Sequence, residues 1–302
     1  MNKRIALLFL FLILLTNAVK AQNETDDAPI KVDTLLLTVP LVVKDEKGRY
    51  VTGLTKNNFS VYENRKEQEI AFFFGEESPM NVAILLDTSV STKEVLDKIQ
   101  KAARDFIKVF RADDKGIIVS FDNRTTFLSE LTADKKQLAK AVNNVRIAEN
   151  GGSDMNTAVF QIVQNYFASL KGRKAIIVLT DGMILRRDIS TQQTLDKLLD
   201  ADTVFYPIVF KTKLNAENLS KTNKPLPVEM LEFLADGTAG RFYVKDATNL
   251  KEAFQSIAEE LKKQYLVGFY PQYTETGKFG RDFRIKIDRK DLTVETKKKW
   301  QY

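Results

Sequence analysis

A carboxylate and two alternating hydroxyls follow a short apolar run in the first third of the sequence. The run is Val82 to Leu86, and the polar residues are Asp87, Ser89 and Ser91. An apolar run of this length predicts a strand buried on both faces, as in a parallel sheet. Such a strand delivers its last side chains to the carboxyl edge of the sheet, where open α/β folds bind ligands. Carboxylates and hydroxyls are hard oxygen donors, so the stretch predicts a site for Mg²⁺, Mn²⁺ or Ca²⁺.

Two later stretches carry the same kinds of donor. Gly151 and Gly152 permit a tight loop ahead of a predicted helix. A second buried strand, Lys174 to Thr180, is followed by an aspartate and a glycine. If the two strands are neighbours, three loops bring one set of oxygens within reach of one ion. The predicted ligand set is Asp87, Ser89, Ser91, Ser153 and Asp181, with Asp154 as an additional candidate.

Each of these residues also has a purely local interpretation. Asp and Ser are the residues preferred in turns and at helix N-caps, so capping alone would account for their positions. Three further aspartates, Asp122, Asp188 and Asp202, are interpreted in this way, as turn or cap residues.

The composition excludes several classes of chemistry. The sequence contains no Cys, which rules out disulfides, a thiolate nucleophile and thiolate zinc sites. It also contains no His, the commonest general base and the commonest transition-metal ligand. Catalysis, if any, would rest on carboxylates, hydroxyls, lysine or a bound metal.

Residues 1–21 have the pattern of an export signal. Lys3 and Arg4 precede the apolar run Ile5 to Leu15, and small residues lead up to Ala21. The run is well short of the roughly 20 residues needed to span a membrane. We predict cleavage after Ala21 and a periplasmic or secreted protein, with an uncleaved anchor as the alternative.

The charge of the mature chain is nearly balanced. The signal contains three of the 46 basic residues and none of the 40 acidic residues, so its removal lowers the net charge from +6 to +3. This balance does not indicate nucleic acid as a partner, and the basic run Lys297 to Lys299 is interpreted as a solvated strand end. No second long apolar stretch follows the signal, which predicts no membrane span after cleavage.

Strand patterns flank a central region in which strand and helix patterns alternate. The alternation predicts a doubly wound, mainly parallel α/β sheet. Each flank offers too few strands for a two-layer core, so we predict that both join one antiparallel β-sandwich into which the α/β domain is inserted. The predicted parts are an export signal at 1–21, a disordered lead at 22–31, a first sandwich part at 32–78, the α/β domain at 79–264 and a second sandwich part at 265–302.

The three donor stretches together resemble the von Willebrand factor A domain with its metal-ion-dependent adhesion site. The resemblance rests on Asp-x-Ser-x-Ser at 87–91, Gly-Gly-Ser at 151–153 and Thr-Asp-Gly at 180–182, and it spans about residues 80–264. It implies that Ser89, Ser91 and Ser153 bind the ion, with Asp87 and Asp181 acting directly or through water. The family usually has Thr in place of Ser153, so the hydroxyl is kept and a stiffening methyl is lost.

The flanks resemble a narrower group, the exported bacterial proteins called von Willebrand factor A-related. That resemblance rests on the stretches Val39–Gly48, Gly53–Phe59 and Gln264–Pro271.

The resemblance implies a non-enzymatic binding module. An ion held largely by neutral hydroxyls keeps a position for one more ligand, which an Asp or Glu of a protein partner would fill. One alternative is a structural or assembly scaffold of the cell envelope with a vestigial metal site. A metal-dependent phosphatase is a remote alternative, because it needs a second acid two residues after Asp87, where Ser89 stands.

We expect the mature chain to begin at Gln22, because the short apolar run and the small residues before Ala21 fit a cleaved signal. N-terminal sequencing of the protein recovered from its cells tests this. Retention of Met1 in most of the material would support the anchor instead.

Overall fold

The computed structural model describes residues 36–149, 152–183, 188–212, 226–271 and 283–296. The predicted signal, the lead at 22–31 and Gly151 lie outside these residues. Among the residues described, no helix is both long and apolar enough to cross a membrane.

The first part of the described chain is built of strands and one short 3₁₀ turn, Lys56–Asn58. Burial along the second strand alternates, with Phe59 and Val61 buried and Ser60 and Tyr62 half-buried, as expected for a strand with one face on a core. The strands are β1 Leu37–Asp45, β2 Phe59–Glu63, β3 Lys66–Gln68 and β4 Ile70–Phe74.

An α/β unit follows, and its strands form one six-stranded sheet in the order β10-β9-β8-β5-β6-β7. All neighbours are parallel except β6 and β7. The strands are β5 Met80–Asp87, β6 Lys115–Phe121, β7 Thr125–Phe127, β8 Arg173–Thr180, β9 Thr203–Lys211 and β10 Tyr243–Asp246. The helices are α1 Leu96–Lys108, α2 Lys135–Asn143, α3 Met155–Ile162, α4 Thr191–Asp200, α5 Leu226–Gly237 and α6 Leu250–Lys263.

Helices cover both faces of this sheet. Side chains alternate along β5, so Ile84 packs on one face in the core formed with α1, α2 and α6, while Leu85 packs on the other with α3, α4 and α5. Every residue of β8 is buried, which explains why its middle, Ala175 to Leu179, is an unbroken apolar run rather than an alternating one.

The last strands return to the β part of the molecule. They are β11 Tyr265–Phe269, β12 Phe283–Ile287 and β13 Leu292–Thr296. One antiparallel sheet has the order β13-β1-β11-β4, the other has the order β12-β2-β3, and both contribute to one apolar core. The predicted class, a doubly wound α/β sheet with a small antiparallel sandwich, is confirmed.

Two strands were not expected from the sequence. The strands β3 and β7 have three residues each, too few for a periodic pattern to appear. The presence of β3 also changes the pairing, because β3 rather than β4 is the hairpin partner of β2, and β4 joins the other sheet beside β11.

One buried side chain holds both connections between the sandwich and the α/β unit. Arg173, at the start of β8, is 2% exposed. Its guanidinium donates to the carbonyl oxygens of Glu76 (3.1 Å) and Ser78, on the connection into the α/β unit. It also donates to those of Leu261 (2.6 Å) and Gln264 (3.2 Å), at the end of α6. Burial lowers the pKa of Arg173 to about 10, so the group remains charged near neutral pH.

We expect deletion of residues 265–302 to unfold β1 to β4 as well. The reason is that β1 pairs with β11 on one side and β13 on the other, and would lose both neighbours. Residues 80–264 should still fold, because their core is separate. Limited proteolysis and amide spectra of fragments 22–78 and 80–264 test this. A protease-resistant 22–78 fragment with dispersed amide resonances would contradict it.

Candidate metal centre

The donor stretches lie at the topological switch point of the six-stranded sheet. The chain leaves β5 for β6 on one side and later crosses to β8 on the other, so β5 lies between them. The connections after β5 and β8 therefore diverge and leave a crevice at the carboxyl ends of the strands. The two apolar runs expected to be neighbours do pair, with Leu86 beside Leu179, and Asp87 and Thr180 follow them directly.

Asp87 joins the three loops through its carboxylate. Its side chain is fully buried, and Oδ1 accepts a hydrogen bond from the main-chain amide of Ser89 at 2.9 Å. Its Oδ2 accepts from the hydroxyl of Thr180 at 2.6 Å and from that of Ser153 at 3.4 Å. The three loops thus converge on one carboxylate.

The two serines after β5 present their hydroxyls side by side. Ser89 Oγ and Ser91 Oγ lie 3.1 Å apart. Thr92 fixes the turn between them, because its hydroxyl lies 2.8 Å from the carbonyl oxygen of Ser89 and 3.1 Å from that of Asp87. Ser89 is buried and Ser91 is half-buried, so this pair forms the outward side of the cluster.

Ser153 and Asp154 have different surroundings although they are adjacent. Ser153 is fully buried against Asp87. Asp154 is the N-cap of α3, where its Oδ1 accepts from the amide of Thr157 at 3.2 Å. Its own amide donates to the carbonyl oxygen of Asp122 at 2.8 Å, which ties this loop to the turn after β6. The N-cap position gives Asp154 a local structural role, and its service as an additional ligand stays a prediction.

Asp181 follows β8 and is 1% exposed. Its Oδ1 accepts from the amide of Met183 at 3.0 Å. Gly182 between them has a φ of +77°, in the left-handed region that favours glycine, and its amide donates to Thr180 Oγ1 at 3.0 Å. The Thr-Asp-Gly sequence therefore builds a turn that holds Thr180 against Asp87 and Asp181 at the crevice.

The sequence model of the von Willebrand factor type A domain matches residues 81–257, which include all of these residues. The chain belongs to the von Willebrand factor type A domain family. This family often mediates metal-dependent protein binding, and its domains are generally interaction modules rather than enzymes. No protein with a curated description matches the chain in sequence.

Solved structures of low sequence identity share the von Willebrand factor A fold. BatB from Bacteroides thetaiotaomicron is 17% identical, with a TM-score of 0.50 over 61% of this chain and 98% of that one. An aerotolerance-related membrane protein from Bacteroides fragilis is 16% identical, with a TM-score of 0.50 over 61% and 99%. Proximal thread matrix protein 1 from the mussel byssus, with a zinc-occupied adhesion-site motif, is 15% identical, with a TM-score of 0.54 over 66% and 49%.

The electrostatics of the von Willebrand factor A site favour a cation. Burial and the nearby negative charge of Asp181 raise the pKa of Asp87 to about 6, although hydrogen bonds from Ser89 and Thr180 lower it. Near neutral pH the site therefore holds a buried carboxylate whose charge is only partly offset by neutral donors. A divalent cation would offset that charge directly.

The donor set also fits a divalent cation. Within the described residues, no group of three or more acidic side chains is placed to hold a metal ion. An ion here would take oxygens from both carboxylates and hydroxyls, a mixture that suits the hard cations Mg²⁺, Mn²⁺ and Ca²⁺. The residues that would hold it are Asp87, Ser89, Ser91, Ser153 and Asp181.

Two residues of this site were not assigned to it from the sequence. Thr180, which the sequence places at the end of the second buried strand but not among the ligands, makes the shortest hydrogen bond to Asp87, and this contact depends on the parallel pairing of β5 with β8. Thr92 fixes the serine turn, and its place three residues after Ser89 is the corresponding local signal. Asp122 and Asp202 lie in turns, as interpreted from the sequence.

We expect Asp87→Asn to abolish binding of Mg²⁺ and Mn²⁺ and to stabilise the metal-free protein near pH 7 by about 1–3 kcal/mol. The folded-state pKa lies above the unfolded value, so the wild type loses stability as pH rises through about 6. The gain should vanish below about pH 4, where the wild-type carboxyl is protonated in both states.

Calorimetric metal titration and chemical denaturation in chelator check both parts. Asp97→Asn, at an exposed position in the first turn of α1, is the matched control and should leave metal binding unchanged. Equal metal binding by wild type and Asp87→Asn would falsify the site.

Proposed function

We propose that this chain is a non-enzymatic binding module that engages a protein partner through one divalent cation. Asp87, Ser89, Ser91, Ser153 and Asp181 would hold the ion, which is Mg²⁺ or alternatively Mn²⁺ or Ca²⁺. An Asp or Glu of the partner would complete its coordination. The observation that carries the proposal is the convergence of Ser89, Ser153 and Thr180 on the buried Asp87 carboxylate.

The kinds of donor support a partner ligand of negative charge. When bound, the cation would supply an electrophilic centre, because three of its five protein donors are neutral hydroxyls. The carboxylates lie at the buried side, whereas the half-buried Ser91 lies at the outward side. A carboxylate arriving from solvent would therefore meet the side of the site that has the least negative charge.

We place the protein outside the cytoplasm, in the periplasm or secreted, after cleavage at Ala21. Support comes from the basic and then apolar pattern of residues 1–21. The absence of Cys means that the chain needs no oxidising compartment for its fold, so export is argued from the signal pattern alone.

Two other functions have less support than metal-dependent protein binding. A scaffold with a vestigial metal site would keep the Asp87 hydrogen bonds but bind no ion. A phosphatase needs a general acid beside its nucleophile, and the residue in that position, Ser89, uses its hydroxyl in a pair with Ser91.

We expect capture of an envelope protein by the immobilised mature chain in Mg²⁺ and its release by a chelator. Ser153→Ala should reduce capture at least about tenfold, because the loss of one coordination bond lowers the affinity of the site for the ion. Ser60→Ala, on β2 of the sandwich, is the matched control and should behave like wild type.

Calorimetry on the same variants separates the alternatives. Metal binding without chelator-sensitive capture would contradict the partner role and keep the metal site. Neither metal binding nor capture would favour the scaffold.

A further inference from the structure

The first two helices of the α/β unit carry a large share of the positive charge of the chain. α1 and α2 contain seven basic and two acidic residues, a net charge of +5, compared with +6 for the whole sequence. The third helix on the same face of the sheet, α6, is neutral overall. On the opposite face, α3, α4 and α5 contain one basic and five acidic residues, a net charge of −4. The two faces of the sheet are therefore covered by helices of unequal charge.

The basic side chains of α1 and α2 form one continuous surface. Three of those on α1 recur at spacings of three and four residues, and two on α2 are four residues apart, so each helix has a basic row on one side. The rows adjoin, because the Arg104 guanidinium donates to Asn143 Oδ1 at 2.7 Å and Asn143 lies one turn beyond the α2 row. We call this surface the basic face, and its members are Lys101, Arg104, Lys108, Lys136 and Lys140.

The positive charge of the basic face is largely unpaired. Arg104 is half-buried, and the four lysines are exposed. In the described part of the chain the face makes one ion pair, between Lys108 and Asp105 at 2.7 Å. The ammonium groups of Lys136 and Lys140 form neither an ion pair nor a hydrogen bond with a described residue. Both helices lie within the continuously described residues 36–149, so the surrounding surface is known.

The positions of these charges are unfavourable for the helices that carry them. Lys136 and Lys140 are four residues apart, as are Arg104 and Lys108, and like charges at this spacing destabilise a helix. Lys136 also lies in the first turn of α2, where the helix dipole disfavours a cation and no acidic residue is present. Residues that conflict with their own element often serve a function.

The composition of the basic face favours a layer of lipid phosphates over other anionic partners. Four of its five bases are lysines, which act as point charges and require no fixed ligand geometry. Protein interfaces are instead depleted in lysine and enriched in aromatic residues, and single-stranded nucleic acid stacks on exposed aromatic side chains. The aromatic residue of the two helices, Phe106, is 2% exposed. At the end of α1, Val109 is 38% exposed beside Lys108, an arrangement typical of surfaces that contact lipid headgroups.

We propose that the basic face docks the protein on a membrane surface that contains anionic phospholipids. The lysines contact the phosphate groups, and the acidic α4 and α5 cover the side of the sheet that is turned away. The basic face lies on the side of the α/β unit, whereas the metal centre lies at the carboxyl ends of β5 and β8. Docking and metal binding therefore use different surfaces, and docking requires no metal ion.

Co-sedimentation of the mature chain with lipid vesicles tests the proposal. A chelator is present throughout, so that no divalent cation bridges protein and lipid. We expect binding to vesicles of equal parts phosphatidylglycerol and phosphatidylcholine at low ionic strength, and no binding to vesicles of phosphatidylcholine alone. Added salt should weaken the binding, because exposed charges are screened. Asp87→Ala should bind like the wild type.

Lys136→Gln combined with Lys140→Gln should weaken vesicle binding about thirtyfold, because each lysine near an anionic surface raises affinity about fivefold. Lys101→Gln, on the other helix, should weaken it about fivefold for the same reason. The matched control is Lys47→Gln combined with Lys290→Gln, which removes the same charge from exposed positions of the sandwich and should bind like the wild type.

Thermal unfolding of every variant is measured alongside. If the α2 double variant loses its fold, Lys101→Gln compared with the control pair decides. Three results would overturn the proposal: no binding to the anionic vesicles, equal binding to the neutral vesicles, or equal losses for the α2 pair and the control pair. Tighter binding of duplex DNA or of polyglutamate than of anionic vesicles, at the same ionic strength, would assign the basic face to nucleic acid or to an acidic protein and overturn its assignment to lipid.

Discussion

The burial of the Asp87 carboxylate is the constraint on which the functional edge of this protein depends. A carboxylate withdrawn from water must be hydrogen-bonded or neutralised, and here its oxygens hold Ser89, Ser153 and Thr180 from three loops. Those bonds do not remove the charge, and the pKa of Asp87 stays raised to about 6. The buried Asp87 carboxylate therefore holds the three loops together, but it also makes the metal-free protein less stable than a neutral side chain at this position would. Binding sites commonly combine these two properties.

The opposite end of the sheet is organised by a buried cation. Arg173 donates to carbonyl oxygens on the connection into the α/β unit and at the end of α6, where the chain leaves it. Carbonyl groups that had lost their own partners would be costly when buried, and one planar guanidinium satisfies several of them. The same contacts fix where α6 ends and where the chain turns into β11 of the sandwich.

The Asp87 cluster and the Arg173 contacts lie at different ends of the α/β sheet. The metal centre uses the carboxyl ends of β5 and β8, as open α/β sheets generally do. The sandwich adjoins the other end, where Arg173 at the start of β8 holds the connections into and out of the α/β unit. The metal centre and the sandwich are therefore at opposite ends of the strands of the α/β sheet.

The sequence by itself determined the features that depend on neighbouring residues. Asp87, Ser89 and Ser91 lie within one short stretch after a buried strand, and the unbroken apolar runs of β5 and β8 already indicate a parallel sheet covered on both faces.

The tertiary structure decided the features that depend on pairing between distant segments. Thr180 contacts Asp87 only because β8, rather than another strand, lies beside β5, and sequence patterns do not specify that order. The strands β3 and β7 are too short to show the two-residue alternation of a strand, and they are strands only because they pair with β2 and β6. Lys44 and Glu295 form an ion pair only because β1 and β13, from opposite ends of the chain, are neighbours in one sheet. Local periodicity is encoded residue by residue, whereas strand order and register follow from burying all the apolar faces at once.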